Sequence, residues 1–198
     1  MFRDFVDFVR DLYGTTGNIP LHEPSFIGDE RDYVLDTIDS TYVSSVGKYV
    51  DQFESDIETY TGVKYAVATV NGTAALHTAL KLSGVEYGTE VITQSLSFIA
   101  TSNSIKYCGA NPIFLDVNTS TLGLSPKSLQ VFLDEFGDLR EDGFCWNRLS
   151  NRKIIACLPM HTFGFPVEIE EIQQICEKYN IKLIEDAAES LGSFYKEQ

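Results

Sequence analysis

The sequence predicts an α/β fold, a mainly parallel sheet with helices on both faces. Alternation is the first reason. From residue 64 onward, short runs rich in apolar and β-branched residues (64–70, 90–93, 112–117, 153–160 and 181–185) alternate with stretches of helical periodicity. Parallel neighbours need a crossover, and a helix commonly supplies it. The second reason is Val70-Asn71-Gly72-Thr73-Ala74-Ala75-Leu76, which reads as a strand end, a tight glycine turn and a helix start. There Gly72 permits a close backbone approach and Thr73 serves as the N-cap. The third is that polar residues gather where strands end, the edge along which such sheets hold ligands.

The chain before the alternation is helical. Phe2, Phe5, Val6, Val9 and Leu12 fall on one face of a first helix, and the other face is charged but not basic. That pattern suits packing or docking rather than a membrane surface. Gly14–Pro20 is a loop, and His22-Glu23-Pro24 is extended. Residues 29–38 form a second amphipathic helix. The small-residue loop Ser44-Ser45-Val46-Gly47 leads into a third, which carries Val50, Phe53, Ile57 and Tyr60 and stops at Gly62. Strand 64–70 then opens the alternating part. Helix 73–83 ends at Gly84, helix 97–107 ends at Gly109, and Ser125-Pro126 starts another with a serine cap and proline in its first position. Residues 137–152 read as a polar, irregular surface insertion, and 168–179 as the last helix.

Bulk properties narrow the function classes. A length of 198 residues allows one sizeable domain, and 43% hydrophobic with 22% charged residues is ordinary for a globular protein. A formal charge of −14 argues against nucleic-acid or anionic-membrane partners, because phosphate would be repelled. Cys108, Cys145, Cys157 and Cys176 show neither metal spacing nor a disulfide framework, so a reducing cytoplasm and no metal site are expected. There is no signal-peptide pattern and no apolar run of membrane-spanning length.

Four polar stretches fall at strand ends: 71–73, 94–98, 160–164 and 186–189. They bring a phosphate cradle at Asn71-Gly72-Thr73, an aromatic ring at Phe98, His161, and two carboxylates, Asp186 and Glu189. Each has a plainer alternative: Phe98 as a core side chain, His161 bonded to a backbone carbonyl, Asp186 as a helix cap. Together, a phosphate site, a ring to stack on and an acid for a ring nitrogen describe a phosphorylated, protonatable heterocycle. Pyridoxal 5′-phosphate fits that description. A dinucleotide fits worse, because no G-x-G-x-x-G follows a strand.

The stretches FESDIETYTGVKYAVATVNGTAALHTAL (53–80), GTEVITQSLSFIATSNSIKYCGANPIFLDV (88–117) and LPMHTFGFPVEIEEIQQICEKYNIKLIEDAAESLGS (158–193) resemble the DegT/DnrJ/EryC1/StrS sugar-nucleotide aminotransferases. The resemblance implies the pyridoxal-phosphate transferase fold of type I, with 1–62 on the substrate and dimer side and 63–198 as part of the cofactor-binding large domain. It implies that Gly72, Thr73 and Ala74 hold the cofactor phosphate, Phe98 stacks on the pyridine, Asp186 pairs with its nitrogen, and Glu189 stands where many members carry a glutamine facing the 3′-oxygen. Residues 19–54 are similar to aminotransferases of the legionaminic-acid and related pathways. They imply a UDP-linked 4-keto-6-deoxy-N-acetylhexosamine as substrate, glutamate as donor, and a role in surface polysaccharide or nonulosonic acid biosynthesis. Ser44, Ser45 and His161 are then the candidates for the sugar side, and the full-length protein is expected to be a homodimer. The family's Schiff-base lysine, and its C-terminal small domain, are expected beyond Gln198; Lys153, Lys178, Lys182 and Lys196 do not stand in its context. Two rivals remain: a dehydratase of the same family, with histidine in place of that lysine, and a non-catalytic truncated product.

Overall fold

A computed structural model describes residues 2–20 and 23–196, in two compact units, Met1–Ala68 and Thr69–Gln198. The first unit holds three helices, α1 (Arg3–Tyr13), α2 (Glu30–Asp39) and α3 (Lys48–Thr61). None of them buries a residue fully, and Phe5, Phe8, Leu12, Tyr33, Val34, Ile38 and Phe53 stay exposed. Its polar anchor is Asp36, which accepts from the Tyr49 hydroxyl at 2.9 Å and pairs with Lys48 at 2.6 Å. His22, part of the expected extended stretch, lies outside the described residues; Glu23 to Ile27 has no regular structure.

The run 64–70 does not form the expected strand. It has no sheet partner among the described residues, and Val67 is 80% exposed. Its amides go instead to side chains of α3: Ala66 N–H donates to Glu58 Oε1 at 3.1 Å and Ala68 N–H to Glu54 Oε1 at 2.7 Å. A strand is made by its neighbour as much as by its own residues, and here acidic side chains have taken that place.

The second unit is the sheet. It comprises α4 (Gly72–Leu82), β1 (Glu90–Gln94), α5 (Ile99–Tyr107), β2 (Asn111–Leu115), α6 (Pro126–Phe136), β3 (Gly137–Leu139), β4 (Cys145–Asn147), β5 (Arg152–Leu158), α7 (Ile169–Lys178) and β6 (Lys182–Leu183). The strand order is β2-β1-β5-β4-β3, with β6 also on β5. On the edge of β5 away from β1, β4 pairs with the first half and β6 with the second. The β2, β1, β5 and β6 strands run parallel, whereas the 137–152 segment, expected to be irregular, contributes the antiparallel β3–β4 hairpin. The sheet is therefore mixed.

Every residue of β1 is buried, as a strand with neighbours on both edges and helices on both faces must be. Its Glu90 is kept satisfied there by Asn147 Nδ2 at 2.9 Å. One core gathers Ile92, Ile154 and Cys157 with Leu129, Leu133, Ile172 and Cys176 of α6 and α7. The other gathers Val91, Ala156 and Leu158 with Leu76, Leu80 and Ile105 of α4 and α5. A register shift between Glu90 and Val91 accommodates the extra residue Ile155 on β5. Gly84 and Gly109, where the helix stops were expected, follow α4 and α5 in the left-handed conformation at φ 92° and 75°. All four cysteines are free and buried. No helix among the described residues is long and apolar enough to cross a membrane.

Candidate functional site

Beyond the carboxyl ends of β1, β5 and β6 the second unit opens a cavity of about 270 Å³, lined by Gly72, Thr73, Phe98, Met160, Asp186 and Glu189 with three apolar neighbours. Five of the residues singled out from the sequence thus share one wall system, although they come from three separate segments.

The helix end is built differently from the expectation. Asn71, not Thr73, caps α4: its Oδ1 accepts from Ala74 N–H at 2.9 Å while its carbonyl takes Ala75 N–H. Ala74 is thereby committed to the cap and does not line the cavity. Gly72 and Thr73 are the first two residues of the helix, where amides have no intrahelical acceptor and the positive end of the dipole lies. A methyl group at Gly72 would meet nothing within 4 Å, so this wall is open to a close ligand.

Phe98 sits just ahead of α5 with extended backbone, and its ring is 65% exposed, so it is no core residue. Its amide points at the sulfur of Met160, 3.4 Å away. Asp186 is 4% exposed. It extends the line of β6 by bridging Met160, and its backbone is held at both ends, N–H to Pro159 O at 2.9 Å and O from His161 N–H at 3.1 Å. Its Oδ2 accepts from the Thr101 hydroxyl at 2.6 Å and its Oδ1 from Ala188 N–H at 3.3 Å. Glu189 Oε2 accepts from Phe163 N–H at 2.7 Å, which ties the 186–189 turn to a loop whose Phe163 lies at φ 55°.

His161 is buried beside the cavity rather than in it. Its Nδ1 accepts from Val167 N–H at 3.1 Å, which places the proton on Nε2, facing Glu185 Oε2 at 3.0 Å. Both ring nitrogens are engaged by the protein. Ser44 and Ser45 belong to the first unit, where Ser44 lines a separate cavity with Lys48 and Tyr49. No lysine lines the 270 Å³ cavity: Lys153 is with Asp142, Lys178 with Asp134 and Lys196 with Glu170. The thiol of Cys157 is pushed well up by its neighbour Cys176 and by burial, so it is no nucleophile.

Two residues were missed. Thr101 reaches Asp186 from inside α5. Gln94, fully buried, joins the ends of β1 and β5: its Oε1 accepts from Leu124 N–H at 2.9 Å and Met160 N–H at 3.0 Å, and its Nε2 donates to Leu96 O, Met160 O and Thr162 Oγ1. An amide at the carboxyl end of a buried strand is the signal that could have found it.

A family model matches residues 24–198, from α2 through the whole of the sheet unit. The chain belongs to the DegT/DnrJ/EryC1/StrS aminotransferase family. A GDP-perosamine synthase of Caulobacter vibrioides is 36% identical over 178 residues, 90% of this chain and 43% of that protein. The X-ray structure of an aminotransferase from Psychrobacter cryohalolentis superposes with a TM-score of 0.74 at 31% identity, covering 89% of this chain and 41% of that one. The structure of NtdA from Bacillus subtilis with bound cofactor PMP matches at 28% identity and TM-score 0.67, over 92% of this chain and 40% of that one. The chain therefore spans less than half the length of these relatives. Pyridoxal 5′-phosphate is the family's cofactor, and the residues here fit it: an open helix start for a phosphate, an exposed ring for a heterocycle, and a buried carboxylate for a ring nitrogen.

Proposed function

We propose that this chain is the cofactor-holding part of an enzyme that moves an amino group from glutamate to the 4-keto carbon of a nucleotide-linked 4-keto-6-deoxy sugar. The observation that carries the proposal is the convergence of Gly72, Thr73, Phe98, Asp186 and Glu189 on one cavity. The Gly72 and Thr73 amides and the Thr73 hydroxyl receive the phosphate. Phe98 covers one face of the ring. Asp186, dry and fixed at both backbone ends, holds the proton on the pyridine nitrogen. A pyridoxal phosphate bound there would supply an electron sink for amino-group chemistry. Glu189, anchored by Phe163 N–H, borders the ring's polar edge, and His161 holds the 159–167 loop in place. The residues of this cavity bind and orient; none of them offers an amine.

For the sugar, the 19–54 stretch favours a UDP-linked N-acetylhexosamine, whereas the name of the Caulobacter vibrioides relative favours a guanosine nucleotide. The exposed apolar side chains of the first unit suit a homodimer, with Ser44 and Ser45 on the sugar side. The test supplies the protein containing this chain with glutamate and either the UDP- or the GDP-linked keto sugar, and follows amino sugar by mass spectrometry. Amination of the UDP form is expected. Amination of the GDP form alone would move the substrate to that nucleotide, and amination of neither would overturn the reading. Titration of the 198-residue chain with pyridoxamine 5′-phosphate, which requires no lysine, isolates the cofactor site.

A further inference from the structure

We infer that Thr101 is a positioning residue for the cofactor nitrogen, acting through Asp186; the inference rests on the reading of Asp186 given above. The argument begins with what a threonine does inside a helix. Its hydroxyl ordinarily bonds back to the carbonyl four residues earlier. Two threonines of this chain do that: Thr37 donates to Tyr33 O at 2.8 Å and Thr61 to Ile57 O at 2.7 Å. Thr101 does not. Fully buried in the first turn of α5, where the residue four back, Ser97, lies outside the helix, it donates its hydroxyl to Asp186 Oδ2 at 2.6 Å.

The hydroxyl has one proton to give. The other acceptor in reach is the sulfur of Met160 at 3.9 Å, which is weaker and farther, so the proton goes to the carboxylate. Among the described residues Thr101 is the one side chain that donates to Asp186; the remaining contact is the longer one from Ala188 N–H. A carboxylate on a single χ2 torsion turns broadly unless something holds it. The β-branched Thr101, itself stiff at χ1, supplies that hold from a rigid helix. Asp186 lines the cavity and Thr101 does not, so the effect of Thr101 on a ligand passes through the orientation of Asp186.

The test uses the 198-residue chain and pyridoxamine 5′-phosphate as probe, with two readouts: affinity by calorimetry, and the near-ultraviolet absorption of the bound ring against pH, which reports protonation of its nitrogen. Thr101→Val keeps the shape and removes the donor. Roughly two- to tenfold weaker binding is expected, the cost of ordering on binding a side chain that Thr101 had held, together with deprotonation of the bound ring at lower pH. Thr101→Ser should restore both. Asp186→Asn should lose ring protonation outright. If Asp186→Asn changes the spectrum while Thr101→Val matches the parent, the inference fails and the reading of Asp186 stands. If Thr101→Val melts earlier yet binds and titrates like the parent, Thr101 is merely structural and the inference again fails. If Asp186→Asn leaves both readouts unchanged, or the parent chain binds no probe, the underlying reading itself falls.

Discussion

Replacing Gln94 by leucine should unfold the second unit more easily by about 3 kcal/mol, a figure that follows from its bonding partners. Leucine is close in volume and opens no cavity. The amides of Leu124 and Met160, both buried and both served by Gln94 Oε1, lose their acceptor. A buried donor left unpaired costs ~1–3 kcal/mol, so two cost about 2–6 kcal/mol. On the other side Thr162 keeps its bond to Leu122 O, while Leu96 O and Met160 O lose a donor, which makes the figure a lower bound. Burying leucine in place of a primary amide returns about 1–2 kcal/mol. A companion variant fixes the cause. Gln94→Glu keeps an acceptor for both amides but turns a carboxylate oxygen toward Leu96 O and Met160 O. Its carboxyl should therefore titrate above the unfolded glutamate value, so the variant is destabilised at neutral pH and recovers as pH falls and the group regains a proton. Urea unfolding followed by fluorescence of Trp146, which sits on β4 against β5, measures both. A loss under about 1 kcal/mol for Gln94→Leu with unchanged urea dependence would refute the reasoning. So would a Gln94→Glu chain as stable as the parent at neutral pH.

Gly72→Ala should leave stability unchanged or slightly raised, since the added methyl meets no atom within 4 Å, yet weaken pyridoxamine phosphate binding because Gly72 is part of the cavity wall; equal affinity in a calorimetric titration would remove Gly72 from the site. Gly123→Ala should be harmful, because its methyl would collide with Val167 Cγ1 and press to 3.3 Å from Met160 O; a loss of about 1–3 kcal/mol is expected in the same urea assay. The Tyr179 hydroxyl, Gln130 and the Lys178 ammonium hold the Asp134 carboxyl below the usual carboxylate value. Its folded-state affinity for protons is depressed, so its stabilisation is present above the unfolded pKa near about 4 and is lost as pH falls through the lower folded value. Tyr179→Phe should flatten that part of an acid-unfolding profile, and an unchanged profile would count against the assignment.

The helices and the parallel core of the sheet were legible because their periodicities are local and their stops are glycines with one conformational reason to be there. Gly84 and Gly109 announce the ends of α4 and α5 without any tertiary knowledge. The failures share the opposite cause. Residues 64–70 have strand composition, but their amides found Glu54 and Glu58, which composition does not foretell. The 137–152 segment looked irregular because β3 and β4 are three residues each, too short for a period to show. At the site, the types were legible and the bonding was not. Asn71 and Thr73 are both good caps, and only the backbone geometry selects the first. His161 was visible as a candidate side chain, but not that Val167 and Glu185 would take both of its nitrogens. Thr101 carried no signal, since its partner lies 85 residues away.

That separation has a kinetic consequence. The bonds that close the cavity span 85 residues between Thr101 and Asp186 and 66 between Gln94 and Met160. Contacts so distant along the chain form only after the intervening loop entropy has been overcome, so no early intermediate of the second unit contains the cavity. A ligand that needs it cannot template folding; it captures molecules that have already folded, slowing their unfolding rather than hastening their formation. The refolding rate of this chain should accordingly be indifferent to pyridoxamine phosphate, and its resistance to proteolysis sensitive to it.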